Sequence, residues 1–186
     1  MDKQSTILFP NEEKVGYQQG ENVIIFSVNS VLIEQNLAFP FPILFYSLPF
    51  DDSNYILIVN SENPSCVILW NIKNEKEESF LKFDSEIKNF SYSGAFSCAI
   101  MEETTVIFNS RTLVIHQVIE TSSSLSTFAL IQAPDDVNHC IFVYGNDMRM
   151  NSVTVMTIPS SAPSLTFEAH KTPIRFVTLS NNGKYI

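Results

Sequence analysis

Three histidines and three cysteines are the side chains of this 186-residue chain best suited to catalysis or metal binding, and their spacing favours neither. Cys66, Cys98 and Cys140 lie far apart, each inside an apolar run (CVILW, AFSCAI, HCIFVY). An odd count without a CxxC pair argues against a disulfide framework or a zinc site, so all three are expected as buried small hydrophobes. His116 falls in the alternating run LVIHQVIE and reads as a satisfied strand residue; His139 follows a loop and reads as solvated. The acidic clusters Glu12-Glu13, Asp51-Asp52, Glu75-Lys76-Glu77-Glu78 and Asp135-Asp136 all fall in turn-like stretches. Solvation explains them better than paired catalytic carboxylates. The sequence has no GxSxG elbow, HExxH pair or phosphate-cradling glycine loop. No catalytic residue, metal site or cofactor is expected.

His170 differs from the other two. It stands beside Lys171 on a short connector between an expected outer strand at 165–167 and another expected strand at 174–180. Two donors on a short connector suit a phosphomonoester. A histidine just before a strand serves equally well in a structural hydrogen-bond network, and both readings stand.

The elements that must position this connector are strands. Apolar runs are short, rich in Val, Ile, Phe and Thr, and broken by Asn, Asp, Ser, Gly and Pro; no long stretch has a helical period. They group into units of four: 5–9, 14–18, 22–28 and 31–38; then 43–48, 55–60, 66–73 and 79–83. The third unit is 87–92, 95–101, 104–109 and 113–120, and the fourth 125–132, 140–144, 152–159 and 165–167. A fifth begins at 174, with a hairpin expected at Asn181-Asn182-Gly183, where both central residues need positive φ. First strands recur about every 40 to 50 residues, the period of propeller blades. The fold class expected is all-β: a WD40-type β-propeller of about four four-stranded antiparallel blades (roughly 5–39, 43–83, 87–121 and 125–168) plus the start of another at 174–186. Radial stacking of such sheets buries their faces. A β-sandwich of similar strand count is the alternative.

Composition narrows the function classes. The chain is 45% hydrophobic, ample for a packed core. Its formal net charge of −9 disfavours non-specific nucleic-acid binding and requires any binding to an anionic membrane to use a local basic pocket. The longest apolar runs are too short to cross a bilayer, and the N-terminus has no basic region followed by an apolar core, so a cytosolic chain is expected.

Three stretches resemble the PROPPIN (WIPI-like) family of WD-type β-propellers. CVILWNI at 66–72 resembles the second-blade strand ending in apolar-apolar-Trp-Asp, LVIHQVIET at 113–121 the end of the third blade, and FEAHKTPIRFVTLSNNGKYI at 167–186 the opening of the fifth. The order and spacing of the three carry the resemblance across nearly the whole chain. It implies a seven-bladed, non-enzymatic propeller that binds phosphatidylinositol 3-phosphate and 3,5-bisphosphate, with His170 and Lys171 as the lipid-binding residues found here. The family's Arg-Arg-Gly signature and membrane-inserting loop match nothing in residues 1–186. The implied role is a scaffold in autophagy or endolysosomal traffic, on phagophore, endosomal or vacuolar membranes. Asp51, Asp52, Ser53 and Asn54 are the expected surface for autophagy protein partners. A WD-repeat scaffold that binds only proteins is the alternative. The chain departs from the family pattern in Asn71 after Trp70, in Ser122–Ser124 where Asn-Pro-x-Gly is common, and in holding only five glycines.

Overall fold

The computed structural model describes residues 7–8, 14–30, 32–47, 54–121, 125, 127–145, 151–159 and 164–180. Among them sixteen strands form four antiparallel four-stranded sheets, each in simple up-and-down order, with no helix. The chain divides into two compact units, Met1–Asp84 and Ser85–Ile186.

The first unit holds two sheets. One comprises β1 (Ile7–Leu8), β2 (Lys14–Gln19), β3 (Asn22–Ser27) and β4 (Ile33–Ala38); the other β5 (Ile43–Tyr46), β6 (Tyr55–Asn60), β7 (Cys66–Asn71) and β8 (Lys76–Lys82). YILIVN and CVILWN read as near-continuous apolar runs because β6 and β7 are covered on both faces. Trp70 meets Phe39 and Phe41 edge-on, with centroids 5.8 and 5.5 Å away, an arrangement that ring quadrupoles favour. Gln18 Nε2 donates to the Ile43 carbonyl at 2.7 Å and so ties the first sheet to the second.

In the second unit, β9 (Asn89–Ser93), β10 (Phe96–Ile100), β11 (Thr104–Asn109) and β12 (Ile115–Glu120) form the third sheet. The fourth contains β13 (Phe128–Gln132), β14 (Cys140–Gly145), β15 (Ser152–Ile158) and β16 (Leu165–Glu168). One cluster joins them: Phe96, Cys98, Ile100 and Ile107 pack with Cys140, Phe142 and Ile158. Burying a side chain such as Phe142, fully enclosed here, stabilises by about 2–3 kcal/mol. Cys66, Cys98 and Cys140 are free and buried, as expected.

One hairpin recurs. The pairings β3–β4, β7–β8 and β11–β12 each slip register near the end of the third strand, at Ile25/Phe26, Leu69/Trp70 and Ile107/Phe108. In two of them the strand-ending residue is an asparagine whose Oδ1 accepts turn amides: Asn74 N–H donates to Asn71 (3.0 Å), and Arg111 and Thr112 N–H donate to Asn109 (2.9 Å each). Four residues on, Glu75 (φ 52°) and Leu113 (φ 59°) take the left-handed conformation. The side-chain oxygen does locally what an Asx-turn does, and it stands where a WD repeat carries aspartate.

Three expectations need correction. Residues 174–180 form no strand: a ladder needs a neighbour, and among the described residues no other segment pairs with them. The hairpin expected at 181–183 lies outside the described residues. His116 is not satisfied, because its ring tilts against Phe96 (5.3 Å) and its Nε2 is buried without a hydrogen-bond partner among the described residues. Nor is His139 simply solvated: Asp136 Oδ2 stands 2.6 Å from its Nδ1. Hydrogen bonds from Asn138 N–H and His139 hold the Asp136 carboxyl below the usual range.

Candidate functional site

The connector after β16 is built as a bridge. At its start the Ala169 and His170 N–H groups both donate to the Asn151 carbonyl, at 3.0 and 3.2 Å. At its end the Thr127 hydroxyl donates to the Arg175 carbonyl at 3.1 Å. Val177, with Ile174 and Leu179 beside it, packs on Val143 and Val153 of the fourth sheet. So Ile174, Val177 and Leu179 pack on that sheet through side chains, with the Thr127–Arg175 bond beside them. An open groove of ≈ 710 Å³ runs along the bridge, with Val153, Pro173 and Ile174 as apolar lining and His170, Thr172 and Arg175 as polar lining.

Within the groove the state of His170 follows from its neighbours. The Thr172 N–H points at His170 Nδ1 (3.2 Å), and the Thr172 hydroxyl lies 2.8 Å from the same atom. A ring nitrogen that accepts an N–H carries no proton, so the neutral ring is the Nε2–H tautomer and offers one outward donor. Asn151 Nδ2 donates to Glu168 Oε1 at 2.8 Å, which occupies the carboxylate next to the connector. The Thr172 hydroxyl spends its proton on Nδ1, so an imidazole N–H and a guanidinium remain beside the groove as donors for an anionic oxygen group.

Of the residues singled out in the sequence, His170 lines this groove. Lys171 is exposed and is not among the lining residues. Asp51, Asp52 and Ser53 lie outside the described residues; Asn54 is exposed, and its carbonyl accepts the Ile72 N–H at 2.6 Å. Reading the sequence missed Arg175 and Thr172. The available signal was the recurrence of cations at 171 and 175 around Pro173, which reading 174–180 as a paired strand concealed. Among the described residues no group of three or more His, Cys, Asp or Glu could hold a metal ion.

No family model matches the chain, and no curated protein matches it by sequence. Solved structures match it in shape. Hsv2 of Kluyveromyces lactis superimposes with a TM-score of 0.75 at 16% identity, over 97% of this chain and 56% of its own. The fold is that of a β-propeller. Hsv2 of Kluyveromyces marxianus gives 0.75 at 15% identity (94% and 50%), and U3-55K gives 0.59 at 12% (94% and 55%). Hsv2 is a PROPPIN, so the propeller has the shape of the family that the sequence motifs resemble. The β-sandwich alternative falls. This propeller chain spans about half the length of the Hsv2 chains it matches. No helix among its described residues is long and apolar enough to cross a membrane.

Proposed function

We propose that this chain is part of a non-enzymatic, phosphoinositide-binding scaffold of the PROPPIN type, a seven-bladed ring of which residues 5–168 supply four blades and residues 174–186 begin another. The observation that carries this reading is the connector: His170, whose Nδ1 accepts from Thr172 and leaves Nε2–H as its donor, and Arg175 border one groove, with Lys171 adjacent. Such a donor set suits the phosphate of phosphatidylinositol 3-phosphate or 3,5-bisphosphate. The chain as a whole is acidic, so attraction to the membrane would be local, and a second apolar anchor would be needed for stable attachment. The corresponding cellular role is recruitment to phagophore, endosomal or vacuolar membranes and capture of autophagy partners, with Asp51–Asn54 as one such surface.

Vesicle flotation tests it. The protein carrying the whole ring should float with vesicles containing phosphatidylinositol 3-phosphate and not without, and His170→Ala with Arg175→Ala should reduce flotation severalfold. No flotation of the folded protein would leave the protein-only scaffold, which the net charge of −9 favours. Charge reversal at Asp51 and Asp52 that leaves partner pull-down unchanged would remove the partner surface.

A further inference from the structure

The four outer strands are not guarded alike. An exposed strand edge is a template for a further strand, and charged side chains are the usual protection. β4 carries Glu34, bridged to Lys14 at 3.5 Å, and β8 carries Lys76, Glu77, Glu78 and Lys82. β16 is only four residues long. β12 has six residues and a single charge, Glu120, at its very end: from Thr112 to Ile119 there is no Asp, Glu, Lys or Arg. It also exposes apolar side chains, Ile115 at 46% and Val118 at 49%, with Val114 at 57% just before it.

The backbone of β12 is ready for a partner. The Thr121 N–H donates inward to the Glu103 carbonyl, so with the alternation of an antiparallel ladder Ile119 and Gln117 also face β11, while Val118 and Glu120 face out. Gln117 Nε2 donates to the outward Val118 carbonyl at 3.2 Å, a local substitute for a neighbouring strand. At the C-terminal end of β12 the edge runs into a groove of ≈ 390 Å³ lined by Ser85, Glu102, Glu103, Thr104, Glu120 and Thr121. Glu102, Glu103 and Glu120 make this groove acidic.

We infer that the β12 edge binds an extended segment of a partner protein by strand addition. The segment lies antiparallel to β12, with alternating apolar residues beside Ile115 and Val118 and basic residues at its N-terminal end, in the acidic groove. Main-chain bonds supply affinity in this mode, and the alternate side chains and the basic end supply selection.

The test uses the 186-residue chain and a fluorescent peptide, acetyl-Lys-Lys-Val-Thr-Val-Thr-Val-Thr-amide, read by anisotropy. This peptide should bind at least about tenfold more tightly than the same peptide led by two glutamates. Val118→Lys should weaken binding about tenfold, the milder Val118→Thr should weaken it less, and E102Q with E103Q should reduce the preference for lysine, all with unchanged circular dichroism. Equal binding of the two peptides, no binding, or indifference to both Val118 changes would overturn the inference. So would a concentration-dependent dimer in sedimentation that Val118→Lys disperses, since that would give the edge to a second copy.

Discussion

Gly94 and Gln132 compete for one space. Gly94, at φ +55°, turns the chain from β9 to β10, and a Cβ there would overlap Gln132 Oε1. That oxygen accepts the Ala95 N–H at 2.7 Å, and the Ser93 hydroxyl oxygen accepts the Gln132 N–H at 2.9 Å. The third and fourth sheets are thus latched at one end through a turn that only glycine can make without displacing the latch.

Gly94→Ala should destabilise the chain by about 1–3 kcal/mol in urea unfolding, through left-handed strain plus the collision. In a Gln132→Ala background the overlap with the amide is gone and only a tight approach to the Cβ at 132 remains, so the same change should cost only about 1 kcal/mol. Additive costs in that double-mutant cycle would show that the latch is not coupled to the glycine.

Asn71 occupies the position of a WD aspartate for an electrostatic reason. It is buried, its Oδ1 caps the turn, and its Nδ2 donates to Glu78 Oε2 at 3.4 Å. Asn71→Asp keeps the cap and sets two carboxylates together, so it should lower stability by about 1 kcal/mol at pH 7, and Glu78→Gln should restore it. A thermal melt of the four proteins checks this. In the same turn Glu75→Gly should raise stability by about 0.5–1 kcal/mol, because it relieves a positive φ at an exposed site.

His116→Leu should stabilise by about 1 kcal/mol, since it removes a buried nitrogen that nothing described satisfies. Unchanged or lowered chemical stability would mean that water or a neighbour serves that nitrogen in solution.

The thiols set an alkaline limit. Burial pushes Cys140 up to about 12 and Cys98 higher, whereas an unfolded thiol titrates near about 8.5. A raised folded-state pKa contributes stability that is fully present below the unfolded value and is lost as pH rises toward the folded one. Unfolding free energy should therefore be level from pH 7 to about 8 and fall above about pH 9. Cys140→Ala should flatten part of that fall. A maleimide at pH 8 should label none of the three native thiols at the rate of a free cysteine.

Most strands were legible because alternation, Asn/Gly/Pro punctuation and β-branched runs are local signals. Tyr55–Asn60 and Thr104–Asn109 lie where those signals place them. What stayed hidden was non-local. Nothing around Gln132 announces a bond to a turn 37 residues away. Leu113 gives no hint of a positive φ, which is set by the cap at Asn109. The run 174–180 has strand composition, but composition supplies no partner. The connector was found through His170, while Arg175 waited on knowing that its segment lies along a groove.

The bridge from His170 to Val177 separates two properties that usually travel together. Val177 is only 6% exposed, yet from 174 to 179 no backbone amide donates to another backbone group among the described residues. Burial there rests on side chains pressed against Val143 and Val153, so deuterium should enter these amides early while β14 and β15 beneath them still hold their protons.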